Sequence, residues 1–322
     1  GGISATQHAF QGNSIILGTV QEITDHRFVV TQPWVQSAWS SQSGNTAITF
    51  GLHGLFLPYP DYRKRSSLEP RLLVTQVLRK GQRLALSAGF YSEMAPLWLK
   101  QDQFDLIRGR QVELQYIWNA TDRWTFRTGL FWQQRTHVGV DNVPTGFSLL
   151  NEAEYGIYDY RFTGIRPLYY NGLGKNKGIE VSVERRLNQG WFLLANATIL
   201  DALTRGSDGI WRSARWDIGH LANLTLGKEW QREKAPGKNR TLGLNTRIVW
   251  AGSPREQDID LQASMMAHTT VFLVDRGYTR TYPDYARLDL HAYWKKSLSN
   301  RRNSTLSLDI QNLTGQINLA YH

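Results

Sequence analysis

Apolar and polar residues alternate along much of the chain. The stretch "GIEVSVERRLNQGWFLLANATILDA", residues 178–202, shows this pattern on both sides of the turn-like letters "LNQG". Polar residues such as Glu180 and Thr198 occupy one parity, and the apolar residues of the other parity are Ile179, Val181, Val183, Trp191, Leu193, Ala195, Ala197 and Ile199. Because successive side chains of a strand lie on opposite faces of a sheet, the pattern predicts a β-hairpin with one apolar and one polar face.

The same alternation recurs between residues 33 and 312, where it predicts about twelve strands. Apart from the two strands of the hairpin, the alternating segments are "PWVQSAWS", "TAITFGLHG", "EPRLLVTQVL", "RLALSAGFYS", "RQVELQYIWN", "RWTFRTGLFWQ", "HLANLTLGKEW", "RTLGLNTRIVW", "RLDLHAYWKK" and "STLSLDIQN".

The connections between these segments alternate strictly in length. Short ones such as residues 41–45, 119–122 and 187–190 follow every second segment, and the long ones between them are residues 58–65, 92–109, 137–177, 201–219 and 251–284. Successive connections of an up-and-down antiparallel sheet lie at opposite ends, so one end has tight turns and the other has large loops. This is the arrangement of an outer-membrane β-barrel.

Two soluble architectures fit the pattern less well. A β-sandwich normally connects its strands in Greek-key order, which gives no reason for such alternation in length. A β-propeller would repeat a blade signature about every 40–50 residues, and the sequence contains no such repeat. We therefore expect the apolar face to contact lipid. We also expect the sheet of the complete protein to close, because an open edge in hydrocarbon leaves backbone groups unpaired.

Composition adds three constraints. The 322 residues include 12 Trp and 14 Tyr, which suit aromatic girdles at the membrane interfaces. No stretch reaches the ~18–20 apolar residues of a spanning helix, and the mean hydropathy is −0.42. The net charge of +10 is concentrated in connections such as residues 79–83 and 231–240, without a motif that recognises DNA or RNA. Nucleic acid is therefore not an expected partner.

Several stretches together resemble one protein family in their order and spacing. They are "SSLEPRLLVTQVLRKGQRLALSAGFYSEMAPL" (residues 66–97), "GFSLLN" (146–151), "GLGKNKGIEVSVERRL" (172–187), "SDGIWRSARW" (207–216) and, within residues 282–318, "YPDYARLDLHAYWKK" and "STLSLDIQNLTGQIN". From about residue 34 onward, the chain resembles the C-terminal half of the barrel of TonB-dependent outer-membrane receptors. The resemblance is to the subgroup that often carries a carboxypeptidase-regulatory-like N-terminal domain.

The resemblance implies an all-β fold, an antiparallel up-and-down transmembrane β-barrel of about 22 strands. This chain would supply a partial barrel of about 12–13 of those strands. Residues 1–322 would form the C-terminal portion, with residues 1–32 as a strand end and an extracellular loop. The plug domain, the TonB box, the first strands and the closing strand would lie outside this chain.

The implied function is active uptake across the bacterial cell outer membrane by a TonB-dependent receptor. Its substrate would be scarce or large: an iron chelate, cobalamin, a glycan or a peptide. The expected partners are outer-membrane lipid, the TonB complex through the N-terminal part, the substrate and a surface lipoprotein. Neither enzymatic activity nor a cofactor is expected. A passive porin-like channel is the alternative, and a barrel hydrolase using His53 or His291 has less support.

Two long loops supply the candidate substrate-binding residues. Residues 137–177 contribute aromatic rings, which can stack on sugars, aromatic siderophores or peptides: Tyr155, Tyr158, Tyr160, Phe162, Tyr169 and Tyr170. Residues 251–284 contribute cations for an anionic ligand: Arg255, Arg276 and Arg280. The alternative for the rings is that they pack the loop on itself at the membrane surface. No metal site is predicted, because the eight His residues form no close pairs.

Overall fold

A computed structural model describes residues 1–16, 19–58, 62, 65–94, 104–152, 168–235, 238–299 and 302–318. Its main feature is a 14-stranded antiparallel sheet in which strands follow one another in chain order, and one short strand, β10, is attached to β9. The strands of this sheet are β1 (Gly2–Ile16), β2 (Thr19–Ser40), β3 (Thr46–Phe56), β4 (Ser66–Arg79), β5 (Gln82–Glu93), β6 (Ile107–Asn119), β7 (Trp124–Asp141), β8 (Leu168–Asn188), β9 (Trp191–Arg205), β10 (Trp211–Ser213), β11 (His220–Ala235), β12 (Lys238–Ala251), β15 (Tyr285–Ser299) and β16 (Arg302–Ile310).

The remaining elements lie in the long connections. They are the helices α1 (Leu149–Glu152) and α2 (Leu261–Ala267), the 3-10 helix Val274–Arg276, and a two-stranded ladder of β13 (Arg255–Glu256) and β14 (Arg280–Thr281). None of the helices in the described part of the chain is long and apolar enough to cross a membrane.

One face of the sheet is apolar and uncovered. A single hydrogen-bonded row crosses β5 to β9 through apolar residues that are 37–67% exposed, namely Leu86, Leu114, Leu130, Ile179 and Ile199. We call the face that carries Ile179 the outer face. We call the 14-stranded sheet the wall. Since a one-residue slip would move every side chain of a strand to the other face, this continuous apolar row fixes the register of the wall. The predicted all-β, up-and-down, partial barrel is confirmed.

The opposite, inner face is polar. The next row contains Gln115, Gly129, Glu180 and Thr198. Polar side chains on this face bond to one another, as in the Arg127–Glu184 ion pair at 3.5 Å between Nη1 and Oε2. A polar inner face beside an apolar outer face is the side-chain distribution of a water-filled barrel.

Aromatic residues lie at both margins of the apolar band. Near the short turns, the outer-face tryptophans are Trp39, Trp118, Trp124, Trp191, Trp230 and Trp294. Near the long connections, the large outer-face rings include Phe56, Phe90, Trp132 and Trp250. On β7, Trp124 and Trp132 are separated by about 26 Å of strand. That length is close to the height of about 25 Å of the apolar band in outer-membrane barrels.

The two ends of the sheet differ as the connection lengths predict. Between β8 and β9, Gln189 and Gly190 have φ values of 51° and 79°, the left-handed pair that a two-residue hairpin turn requires. At the loop end the strands also extend beyond the predicted segments. Strand β7 continues to Asp141 and β9 to Arg205. Strand β2 begins at Thr19, and its residues 19–34 pair with β1 to form a hairpin. Within the described residues, β1 and β16 are the two edges of the sheet.

Candidate functional site

The buried core of the protein lies at the end of the sheet that carries the long connections. We call the described parts of residues 57–65, 94–106, 142–168, 206–219 and 252–284 the loop layer. The nearly inaccessible apolar residues in this layer and at the strand ends below it are Leu57, Leu106, Val138, Val140 and Leu149. The wall buries little apolar surface, because neither of its faces is covered by a second sheet. Hydrophobic packing therefore stabilises the loop layer separately from the wall.

Two loops are joined by a pair of crossed ion pairs. Arg215 Nη2 lies 3.2 Å from Glu256 Oε1, and the two side chains are only 1% and 4% exposed. Beside it, Arg255 Nη2 lies 3.1 Å from Asp217 Oδ2. The backbone N–H of Arg255 also donates to the carbonyl oxygen of Arg215 at 2.7 Å. Residues 215–217 and 255–256 are thus held together by both backbone and charged side chains.

A third loop joins this arrangement through α1. The backbone N–H of Arg215 donates to Asn151 Oδ1 at 3.0 Å, and Asn151 Nδ2 donates to Thr204 Oγ1 on β9 at 3.3 Å. Just before Asn151, Leu150 packs against the inner face so closely that a Cβ on Gly174 would lie 2.4 Å from its Cδ1. Helix α1 is therefore fixed over the inner face of β8 and β9, where it covers part of the mouth of the partial barrel.

Below this cover lies a cavity of about 230 Å³. Its walls are the inner faces of β7, β8 and β9, where Gln133, Arg135 and Asn176 provide polar groups, and its roof includes Leu150 and Trp216. The Arg135 guanidinium lies 3.9 Å from the carboxylate of Glu93. The cavity therefore combines a cation and amide groups with apolar surface, a combination that suits an organic ligand with anionic substituents.

A second charged contact links the β9–β11 connection to the 3-10 helix. Arg212 binds both carboxylate oxygens of Asp208, at 3.1 and 2.6 Å, and its Nε donates to the carbonyl oxygen of Asp275 at 2.8 Å. The hydrogen bonds from Arg212 hold the pKa of Asp208 below its usual value. This contact is thus ionic at neutral pH.

The predicted aromatic residues have different surroundings. Tyr155, Tyr158, Tyr160 and Phe162 lie outside the described residues. Tyr169 is 59% exposed at the start of β8. Tyr170 packs against the buried core of the loop layer, and its burial, together with Tyr62 and Asp105, raises the pKa of its hydroxyl.

The predicted arginines lie in one loop but are not equivalent. Arg255 is paired with Asp217. Arg276 is exposed at the end of the 3-10 helix. Arg280 is also exposed, and its guanidinium lies 5.4 Å from the centroid of the Tyr282 ring. The β13–β14 ladder pairs Arg280 with Glu256, so Arg280 lies directly across from the buried ion pair.

The sequence-based prediction did not include Asn151, Arg215 or Glu256. A signal for the first two was present: "GFSLLN" ends with Asn151 and "SDGIWRSARW" contains Arg215, and both stretches carry the family resemblance. The structure brings these two stretches into direct contact. In the described residues, no group of three or more His, Asp or Glu residues could hold a metal ion.

Neither protein-family models nor curated protein sequences give a match to this chain. Several solved structures are similar to this chain. The outer-membrane ferripyoverdine receptor of Pseudomonas aeruginosa bound to ferripyoverdine is 13% identical, with a TM-score of 0.60 over 93% of this chain and 36% of that one. BauA, the ferric preacinetobactin receptor of Acinetobacter baumannii, is 16% identical, with a TM-score of 0.58 over 93% of this chain and 41% of that one.

The outer membrane transporter YddB of Escherichia coli is 12% identical, with a TM-score of 0.54, and the match covers 98% of this chain and 46% of that one. The chain thus spans less than half of the length of each of these three structures. At such low identity the similarity concerns the fold. The 14-stranded sheet with its loop layer has the fold of part of an outer-membrane receptor barrel.

Proposed function

We propose that the protein is an outer-membrane receptor of the TonB-dependent class and that this chain is the C-terminal portion of its barrel. The observation that carries the proposal is the register of the wall: apolar residues of successive strands form continuous rows on the outer face, between two aromatic margins. Soluble proteins rarely expose a continuous apolar surface larger than a few hundred Å², because its contact with water is unfavourable. Lipid at the bacterial outer membrane removes this cost.

The loop layer supports a receptor rather than an open pore. Helix α1 and the crossed ion pairs hold three connections over the inner face, so a solute that enters from the loop end first meets the loop layer. In the proposed function, the TonB complex acts through an N-terminal part of the protein and drives release of the bound substrate through the barrel. A surface lipoprotein is a further proposed partner at the loop end.

The substrate class we place first is an iron chelate. Exposed Tyr169, Arg276 and Arg280 offer an aromatic ring and two cations, which suit an anionic chelate. The solved ferripyoverdine and ferric preacinetobactin receptors share the fold of this chain. Cobalamin, a glycan and a peptide are the other classes to be tested.

Uptake by the full-length protein tests this function. Cells that depend on it are grown under iron limitation with a ferric siderophore, and in parallel with cobalamin, a glycan or a peptide as the limiting nutrient. Deletion of the TonB box should abolish growth on the transported substrate while the protein remains in the outer membrane. Uptake that persists after this deletion would contradict the proposal and favour a passive porin-like channel.

The hydrolase alternative has one structural element in its favour. His291 Nδ1 lies 2.5 Å from Asp309 Oδ1 on the inner face. A catalytic triad also needs a hydroxyl nucleophile bonded to the other ring nitrogen, and among the described residues none is bonded to His291. We therefore do not assign hydrolysis to this pair.

A further inference from the structure

Five cations form a cluster on the outer face, at the loop-end aromatic margin and just above it. They occupy three neighbouring rows of β6 to β9: Trp132 pairs with Lys177 in the lowest row, Arg110–Gln134–Lys175 is the middle row, and Arg108–Thr136–Leu173–Arg205 is the upper row. We call Arg108, Arg110, Lys175, Lys177 and Arg205 the outer basic cluster. Since strands lie about 4.8 Å apart, Arg110 and Lys175 are separated by about 10 Å along their row.

Aromatic rings and an amide orient several of these cations. The Arg110 guanidinium lies 5.4 Å from the centroid of the Trp132 ring, and its Nε donates to Gln134 Oε1 at 2.8 Å. The ring of Trp211 on β10 has two cations nearby, with Lys175 Nζ at 4.4 Å and the Arg205 guanidinium at 5.6 Å. Cation–π contacts keep these charges close to the wall.

The cluster carries an excess of positive charge. Among the described residues in these rows, the carboxylate is Asp201, which lies 3.5 Å from Lys177 Nζ. The other nearby carboxylates are on the inner face or in the loop layer: Glu93 lies near Arg135, and Asp208 is bound by Arg212. Four cations of the outer basic cluster are therefore not neutralised by carboxylates of the described chain.

Immediately below the cluster the wall is apolar. Val112 pairs with Trp132 at the lower edge, and Leu130 and Ile199 continue the apolar face toward the short turns. A ligand that covers both surfaces must have an anionic head and acyl chains on the same side. Arginine side chains bind phosphate oxygens in a bidentate manner, and basic residues next to a membrane-embedded surface bind anionic lipid headgroups.

We propose that the outer basic cluster binds the phosphate group of an acylated lipid in the leaflet at the loop end, with the acyl chains against the apolar face below. This inference uses the membrane placement in the proposed function but not the transport activity. A soluble phosphate lacks the apolar part for which the wall provides the surface, so the proposal commits to a lipid.

The test measures lipid binding to the full-length protein in neutral detergent by native mass spectrometry. The probes are phosphatidic acid and a diacylglycerol with the same acyl chains, each with and without inorganic phosphate as competitor. We expect selective binding of phosphatidic acid that an equal concentration of inorganic phosphate does not displace. The triple variant Arg110→Gln/Lys175→Gln/Arg205→Gln should bind phosphatidic acid about a hundredfold more weakly, at about fivefold per cation.

The matched control removes three cations from the inner face of the same sheet: Arg127→Gln/Arg186→Gln/Arg247→Gln. It has the same net charge as the first variant and should bind phosphatidic acid like the parent protein.

Four results would each overturn the proposal: equal loss of binding in both variants, no loss in the first variant, equal binding of the two lipids, or displacement of phosphatidic acid by inorganic phosphate. Vesicle flotation tests separately whether the protein lies in a membrane at all. A protein that floats with vesicles but shows no headgroup selectivity contradicts only the lipid site.

Discussion

Arg215 and Glu256 form an ion pair that is buried in the loop layer although the residues come from different connections, 41 positions apart in the chain. Moving two charges out of water is costly, and their attraction offsets this cost only where further hydrogen bonds complete the site. The backbone N–H of Arg215 donates to Asn151 Oδ1, and its carbonyl oxygen accepts from the backbone N–H of Arg255, so Arg215 is held in position beside Glu256. We therefore expect the pair to help hold these connections in place at the mouth.

Removal of one partner of this pair should loosen the loop layer. In Arg215→Ala the carboxylate of Glu256 stays buried without its cation, which costs about 3–5 kcal/mol. We expect faster hydrogen exchange in residues 211–219 and 252–260, with unchanged exchange in the wall strands. Arg280→Ala, at an exposed arginine in the same loop, is the control and should leave exchange of these segments as in the parent.

The double variant Arg215→Met/Glu256→Leu tests whether the charges themselves are needed. Apolar residues of similar volume can replace a buried ion pair with little or no loss of stability. We expect this variant to recover most of the protection that Arg215→Ala loses. If Arg215→Ala and Arg280→Ala had the same exchange pattern, the ion pair would have no role in arranging the loops.

The two faces of the wall should respond oppositely to the same charged residue. Val181 lies on the outer face, paired with Thr128 and Ala197 midway between the aromatic margins, and Ser182 is its inner-face neighbour. Val181→Arg should lower the free energy of unfolding from lipid vesicles by about 2–4 kcal/mol. Ser182→Arg should change it by less than about 0.5 kcal/mol. Equal losses in the two variants would show that lipid does not cover the outer face.

The wall was predictable from the sequence, because a strand reveals its two faces in a local pattern of period two. Val181 and Ala197 were assigned to one face from parity alone, and the structure places them directly opposite each other. The ends of the strands were less predictable. At the loop-end margin, Lys177 and Asp201 interrupt the alternation of apolar residues on the outer face, yet the backbone ladder continues to Arg205.

The loop layer was not predictable in the same way. Asn151, Arg215 and Glu256 come from three connections, and no periodicity links them. Their contacts depend on which strand ends are adjacent in the sheet, which is known only after the whole wall is assembled. Composition identified aromatic and basic residues in these loops, but it could not separate exposed Tyr169 from Tyr170, which packs against the core.

We therefore expect substitution of Tyr169 to affect chelate binding and substitution of Tyr170 to affect the stability of the loop layer. Tyr169→Ala should change the stability of the loop layer by less than about 0.5 kcal/mol and should weaken binding of the transported chelate. Tyr170→Ala removes a ring that packs against the buried core, so it should destabilise the loop layer by about 2 kcal/mol. Hydrogen exchange reports the stability, and chelate titration of the detergent-solubilised full-length protein reports the binding. Normal chelate binding by Tyr169→Ala would remove this residue from the proposed site.

The contact between Asp208 and Arg212 should persist in mild acid. The pKa of Asp208 is lowered in the folded protein, so the contact contributes stability above the unfolded pKa of about 3.9 and loses it as the pH falls through the lower folded value. We expect hydrogen exchange of residues 208–212, corrected for its intrinsic pH dependence, to be constant between pH 8 and about pH 5. Protection should decrease only below about pH 4.

The variant Asp208→Asn separates this ionic contact from a general effect of acid on the loop layer. It removes the carboxylate that Arg212 binds through two oxygens, so protection of residues 208–212 should be lower than in the parent at neutral pH. The difference between variant and parent should then vanish in strong acid, where the carboxyl of the parent is also neutral. If the difference were instead largest in acid, the contact would not depend on an ionised Asp208, because protonation can only weaken a bond to a guanidinium group.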